Sequence, residues 1–335
     1  MTATRRDLTG AGADGTSTGG GAGRFVTRFG TICGIVIILC VFSALSPSFR
    51  TLANGRNIVL QSMPLLMVSL AMTMALILRG VDLSVAYVAD LAALVAALVV
   101  TAGGGPALAL AAGVFAGMGI GSLNGGLIVI GVPALVATLG MMFIIKSMQL
   151  MTTGGGQPIL VMMLPPAKSK PFLWLGQGHL GPVPVQVVIG LAVLFALCLV
   201  VYRMRAGRYF HAIGGNVDAA FLSGVRTKGY FALGYVLSGA LAACAGLMNV
   251  TRTGIAQPEG SAYLLLDSFV ASYIGSITFY KGRMNILGTA VGVLFVSILS
   301  NGVTVLGLGV VYQYIFKGCL IFIAVAAARF GTARE

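Results

Sequence analysis

The chain alternates between apolar windows of roughly 20 residues, the length an α-helix needs to cross about 30 Å of hydrocarbon, and short breaks carrying glycine, proline or arginine. Runs such as Leu91 to Val100 are apolar on every face, whereas a strand of a membrane β-barrel alternates apolar and polar positions. The pattern therefore predicts an all-α membrane protein of about ten transmembrane helices, at 30–45, 58–78, 83–101, 106–130, 133–152, 185–204, 230–251, 264–279, 284–306 and 309–328. The first window is short, but its polar leader is long and its cleavage site poor, so it is expected to remain as a helix rather than be removed as a signal peptide. Residues 1–28, rich in Gly, Thr, Ala and Ser without apolar periodicity, are expected to be a disordered cytoplasmic tail, which leaves 29–335 as the transmembrane domain. The longest break, about 153–184, contains Pro165, Pro166, Pro171, Pro182 and Pro184, which argue against a long regular helix there.

Composition supports the same class, since 58% of residues are hydrophobic and 9% charged, and a soluble chain with so few charges would precipitate. The net charge of +13 is spread between the windows rather than gathered in one patch, so it reads as a topology signal and not as a nucleic-acid surface. Arg203, Arg205, Arg208, Arg226 and Lys228 fall in the connection after the sixth span. Lys281, Arg283, Arg329 and Arg334 fall on the same side, with Arg5, Arg6, Arg24 and Arg28 of the N-terminus. That side is expected to be the cytoplasm of a bacterial cell, with both termini in it and the 153–184 loop in the periplasm. Arg50, Arg56, Lys168, Lys170 and Arg252 fall opposite, so the bias is incomplete.

Enzymatic chemistry finds little support. Cys33, Cys40, Cys198, Cys244 and Cys319 are scattered through apolar windows without a Cys-x-x-Cys pair, which suits buried small hydrophobes better than a metal site or disulfide framework. His179 and His211 stand apart from any ligand or nucleophile cluster. Gly154-Gly155-Gly156-Gln157-Pro158 lacks the lysine and hydroxyl residue of a phosphate loop, so ATP binding by this chain is not expected.

Shifting the sequence by 177 positions superimposes Asp82, Ser84, Asp90 and Asn124 on Glu259, Ser261, Asp267 and Asn301. The third span then matches the eighth, an odd offset that reverses orientation, so the halves are expected to be inverted repeats, a common plan for alternating-access transporters. Asp82 or Ser84 can cap the third span, with Arg79 pairing Asp82. Asp90 lies about two turns into that span, where an ionised carboxylate is costly unless paired or hydrated, so it is expected to face the bundle interior or a cavity. Asp267 is expected to favour the positive end of its helix dipole. Asn124 and Asn301 sit mid-span beside glycines and can bond across closely packed helices or line a polar path. In the connection at about 205–228, Gly214, Gly215 and Asn216 lead into a short amphipathic run through Asp218, Ala219, Ala220, Leu222 and Ser223, a pattern suited to docking into another protein's groove.

These segments carry a resemblance. Gly80-Val-Asp-Leu-Ser84, His211-Ala-Ile-Gly-Gly-Asn216 with Ala219-Ala-Phe-Leu-Ser-Gly-Val225, Leu237-Ser-Gly239 through Ala256-Gln-Pro258, Leu287-Gly-Thr289, Asn301-Gly302 and Gln313 to Gly318 closely resemble the ribose-type permeases of bacterial ABC sugar importers. The resemblance implies a type II-like ten-helix fold and a second permease subunit, identical or not. It also implies a cytoplasmic ABC ATPase that uses ATP and Mg, and a periplasmic solute-binding protein. By position, Gly214, Gly215, Asn216, Asp218, Ala219, Ala220, Leu222 and Ser223 resemble the segment that meets the ATPase. Asp90 departs from the family, standing in a stretch that is commonly apolar. A sugar or polyol passing through needs polar partners, because an unpaired hydroxyl in an apolar path costs roughly 2–7 kcal/mol; Gln61, Asp82, Asp90, Asn124, Thr138 and Asn301 are the candidates. The rival readings are an ion-coupled secondary transporter using Asp82, Asp90 and Asp267, and a branched-chain amino acid permease of the same superfamily.

Overall fold

In the computed structural model, which describes residues 21–279, 283–309, 311–319 and 322, with side chains from Thr31 onward, the apolar windows are helices. In chain order these are α1 (Gly21–Leu45), α2 (Leu52–Ile77), α3 (Val85–Thr101), α4 (Pro106–Val129) and α5 (Ala134–Thr152). After them come α6 (Pro166–Gln177), α7 (Val185–Cys198), α8 (Arg205–Gly215) and α9 (Val217–Leu222), and finally α10 (Thr227–Thr253), α11 (Tyr263–Phe279) and α12 (Ile286–Val305). Among the described residues six helices are long and apolar enough to span a membrane: α2, α4, α5, α7 with its π-helical extension to Arg203, α10 and α12. Three shorter apolar helices, Thr31–Leu45 of α1, α3 and α11, stand with them. Of the last expected span, 309–328, residues 309, 311–319 and 322 are described, and 311–319 are helical.

Local signals set the ends. Thr51 accepts the Asn54 N–H (3.2 Å) to cap α2, and Asn285 does the same for Gly288 at α12. Pro106 opens α4, where its missing N–H would have had no intrahelical partner, and Gly254 closes α10 in the left-handed conformation (φ 73°).

The core is built around α2 and α10. Met67, Val68, Leu70, Ala71 and Met72 of α2 are fully enclosed. Ser238 of α10 donates to the Ala71 carbonyl (3.1 Å), and Gly234 lies against Leu78, so the two helices run antiparallel. Their partners are exchanged: α10 packs along α3 and α4, and α2 packs along α11 and α12. Lipid is as apolar as a leucine side chain, so helices associate by close fit rather than by hydrophobic exclusion. Gly117, Gly121 and Gly125 accordingly form one face of α4, and a Cβ on Gly117 would meet the Gly239 carbonyl of α10 at 2.5 Å. The outward faces of α4 and α5 expose Phe115, Leu123, Phe143 and Ile144, as a lipid-facing surface should.

The two ends of the bundle differ. Gly214 of α8 seats on the Ile77 carbonyl at the end of α2, and Tyr202 receives the backbone N–H of Ile286 (3.2 Å) at the start of α12. At the other end α6 lies beside α10, and β1 (Ile159–Leu160) pairs antiparallel with β4 (Ile255–Ala256); a second ribbon joins β2 (His179–Leu180) to β3 (Val183–Pro184).

One expectation needs correction and a second is made more specific. Of the tail expected at 1–28, residues 1–20 lie outside the described residues, but 21–28 are helical and belong to α1. The proline-rich 153–184 segment, where no long regular helix was expected, holds the 12-residue α6. Pro165 and Pro166 fall at its N-cap and first position, where no N–H is required, and Pro171 removes a single bond.

The α4–α10 contact is directly testable. Gly117→Leu is expected to lower the melting temperature of the detergent-purified protein by several degrees, since overpacking costs about 1–3 kcal/mol. Gly119→Leu, two positions along on a side with nothing within 4 Å, is expected to melt like wild type. Equal melting of both variants would show that the helices are not in backbone contact.

Candidate functional site

Polar side chains inside the bundle fall into separate clusters. The first surrounds the turn between α2 and α3. There Asp82 accepts from the Ser84 backbone N–H (3.0 Å) and hydroxyl (2.6 Å) with one oxygen, and from Ser238 (3.1 Å) with the other. Asn124 of α4 donates to the Ser84 hydroxyl (2.9 Å), and Thr138 of α5 bridges the Val81 carbonyl (3.1 Å) and the Leu83 N–H (3.2 Å). Three helices, α4, α5 and α10, are thus tied to one turn. Arg79 takes no part: it is exposed, with a left-handed backbone (φ 57°), and the expected Arg79–Asp82 pair does not form. The serine hydroxyls satisfy the carboxylate from within, where the long arginine side chain is not needed.

The second cluster lies where α3, α10 and α11 meet beneath the β1–β4 ribbon. Asp90, 2% exposed, accepts the Ser261 backbone N–H on Oδ1 (2.8 Å), while Oδ2 has no hydrogen-bond partner among the described residues. Beside it is a cavity of about 240 Å³ lined by Asp90, Asn249, Arg252, Gln257 and Tyr263 with small apolar residues such as Ala93. Arg252 also has a buried, unpartnered Nε. The loop leading into α11 is held by an ion pair between Glu259, again left-handed (φ 57°), and Lys146 of α5.

The remaining candidates lie elsewhere. Asn301 and Asn54 exchange two amide hydrogen bonds (2.9 and 3.0 Å) between α12 and the start of α2. Gln61 is exposed on the outside of α2, away from both clusters. Asp267 does not merely face a helix dipole but binds Lys317 through both oxygens (2.8 and 2.9 Å). Sequence reasoning missed Ser238, Arg252, Tyr263 and Lys317, as well as a buried knot in which Thr73 of α2 meets Ser272 (3.0 Å) and Thr289 (2.7 Å). Lys317 had a signal, a basic residue in an apolar window; Arg252 falls just past the 230–251 window, and the hydroxyl residues had none, because each looks ordinary until its distant partner is known.

The 205–228 segment forms α8 and α9. Asn216 caps α9 by accepting the Ala219 N–H (3.0 Å), and Ser223 donates back to the Ala219 carbonyl (2.8 Å). Ala220 is buried, whereas Phe221 and Leu222 project with 66% and 84% of their surfaces exposed. Gly214, Gly215 and Asp218 lie beside them; Gly214 is half-buried against α2, and the other two are exposed. Between α8, the end of α2 and the approach to α12 is a cavity of about 500 Å³ lined by Arg79, His211 and Arg283.

A bundle of apolar helices with interior polar clusters and a protruding amphipathic turn defines a multi-pass membrane permease. Residues 55–325 match the family described as branched-chain amino acid transport system / permease component, and the chain belongs to that family. Within it the chain is a ribose-type permease: it is 33% identical to the ribose import permease protein RbsC of Escherichia coli strain K12 over 88% of its own length and 91% of the relative's. The corresponding Bacillus subtilis strain 168 protein is 32% identical (90% and 92% covered), and the D-allose transport system permease protein AlsC of E. coli K12 is 30% identical (91% and 92% covered). The resemblance carried by the motifs is therefore shown. No solved structure gives a significant match.

The Asp82 cluster makes a structural statement. Asp82→Ala strands the Ser84 and Ser238 hydroxyls and is expected to destabilise the protein by about 1–3 kcal/mol, read as lower melting in detergent. Arg79→Gln is expected to leave melting unchanged; an equal loss would mean that the ion pair forms after all.

Proposed function

We propose that this chain is the translocation subunit of an ATP-driven importer of a monosaccharide or related polyol. Relatives of about the same length named for ribose and allose support the solute class. The observation that carries the ATP-driven reading is the α8–α9 segment: Phe221 and Leu222 stand out as an apolar knob, while Gly214 behind them bears directly on the last turn of α2. A push on the knob therefore reaches the most enclosed helix of the bundle without passing through a flexible loop. In this reading Gly214, Gly215, Asn216, Asp218, Ala219, Ala220, Leu222 and Ser223 meet a cytoplasmic ABC ATPase that hydrolyses ATP with Mg. A periplasmic solute-binding protein delivers the sugar at the α6 end, and a second permease subunit completes the channel.

The two-half architecture belongs to the same proposal. The antiparallel course of α2 and α10, and their exchange of packing partners, support ten spans arranged as inverted repeats in a type II-like fold with both termini in the cytoplasm. The polar clusters divide by role. The Asp82–Asn124–Thr138 network and the Asn54–Asn301 pair brace helices that must move as units. An ion-coupled mechanism is disfavoured because Asp82 is held by two serines and Asp267 by Lys317, which leaves Asp90 as the one carboxylate of the three with an unpartnered oxygen.

The test is reconstitution of the permease with its ATPase and binding protein in proteoliposomes. ATP-dependent uptake of ribose or allose is expected, and Phe221→Asp with Leu222→Asp is expected to cut both uptake and stimulated ATP hydrolysis at least tenfold while leaving the amount of folded permease unchanged. Uptake that persists without the ATPase would overturn the proposal.

A further inference from the structure

A permease interior that satisfies its own polar groups leaves little for a passing solute to bind, so unsatisfied groups are informative. Among the described residues, the α3–α10–α11 cavity is where a buried carboxylate oxygen and a buried guanidinium nitrogen, both without partners in the chain, belong to residues lining one space. Leaving either group so costs several kcal/mol in a water-poor interior unless something else supplies the missing bond.

The geometry of Asp90 separates two tasks. Oδ1 is committed to the Ser261 N–H at 2.8 Å, which anchors the start of α11 to the middle of α3. Oδ2 is free of that duty. Arg252 occupies the last turn of α10, at the end remote from α9. An acceptor and a donor lining the same cavity suit a hydroxyl group, which can give its proton to a carboxylate and accept from an N–H at once. The volume of about 240 Å³ falls just below the roughly 300–1,000 Å³ of pockets that hold drug-sized ligands, which is the scale of a single sugar ring. Tyr263 adds a ring face to the lining, and Asn249 and Gln257 add amides that both donate and accept.

We infer that this cavity is a solute-binding site on the translocation path, taking a neutral polyhydroxylated molecule of pentose or hexose size, with Asp90 Oδ2 and the Arg252 guanidinium binding its hydroxyls. The inference rests on the sugar-permease reading and adds the place where the permease itself contacts and selects the solute. It also gives a reason for a carboxylate within an apolar stretch of α3.

The experiment uses the reconstituted complex of permease, ATPase and binding protein, with radiolabelled ribose, allose and leucine as probes. The readout is solute moved per ATP hydrolysed. Asp90→Asn keeps an oxygen for Ser261 but replaces the free acceptor by an amide donor, Arg252→Gln shortens and neutralises the donor, and Ala93→Phe fills the cavity while leaving both charges. Each is expected to lower ribose or allose moved per ATP at least fivefold. A purely structural defect lowers uptake and hydrolysis together and leaves that ratio at the wild-type value, which would overturn the inference, as would wild-type ratios from an active Ala93→Phe complex. If the wild-type complex moves leucine and neither sugar, the functional reading itself fails, and the sugar site fails with it.

Discussion

Hydrocarbon offers no hydrogen-bond partner, so every polar group carried into the bundle must be matched by another group of the chain. The arrangement of this permease follows from that constraint. Asp82 is matched by two serines, Asn301 by Asn54, Thr73 by Ser272 and Thr289, and Asp267 by Lys317. Each match joins helices distant in sequence, so satisfying polar groups and specifying the helix arrangement are one act. Among the described residues the buried atoms left without a partner are on Ser69, Asp90, Asn124, Gln149, Gln186, Tyr235, Arg252 and Ser300, and of these only Asp90 and Arg252 are ionisable groups of opposite type lining one cavity.

The same geometry relates the two ends of the molecule. α10 is 27 residues long, about 40 Å at 1.5 Å per residue. Its first turn follows α9, and its last turn carries Arg252 into the cavity. Along the way its small residues let α4 approach to backbone contact, and Ser238 ties it to α2 and to the α2–α3 turn. A displacement of α8 and α9 is therefore delivered to a rigid, well-anchored helix and to the end of α2. Interfaces packed this closely shift between discrete arrangements rather than deforming continuously, which is what alternating exposure of a solute site requires.

Much of this was legible in the sequence because it depends on local pattern. Apolar windows gave the helices, and the Gly214–Ser223 run marked the protruding turn; of the glycines expected to give close approach, Gly117, Gly121 and Gly125 do so, whereas Gly119 and Gly126 have nothing within 4 Å. Asp90 could be placed near a cavity because a lone carboxylate in hydrocarbon has few other options. Partnerships across long separations were not legible. Arg79 is the obvious partner for Asp82 in sequence, yet Ser238, 156 residues away, takes its place. Helix α6 was hidden because prolines were weighed by number rather than by position in the first turn. Arg252 was counted as a loop charge, since nothing local shows that α10 continues to Thr253 and brings its last turn to the cavity beside Asp90 of α3.

The central claim is that the docking turn and the solute cavity open to opposite sides of the membrane, joined by α10. The most direct measurement places single cysteines at Leu222 and at Gln257 in a chain otherwise free of cysteine, and labels them in oriented vesicles with a membrane-impermeant maleimide. The account predicts that Leu222→Cys reacts only from the cytoplasmic side and Gln257→Cys only from the opposite side. Labelling of both from one side would contradict it.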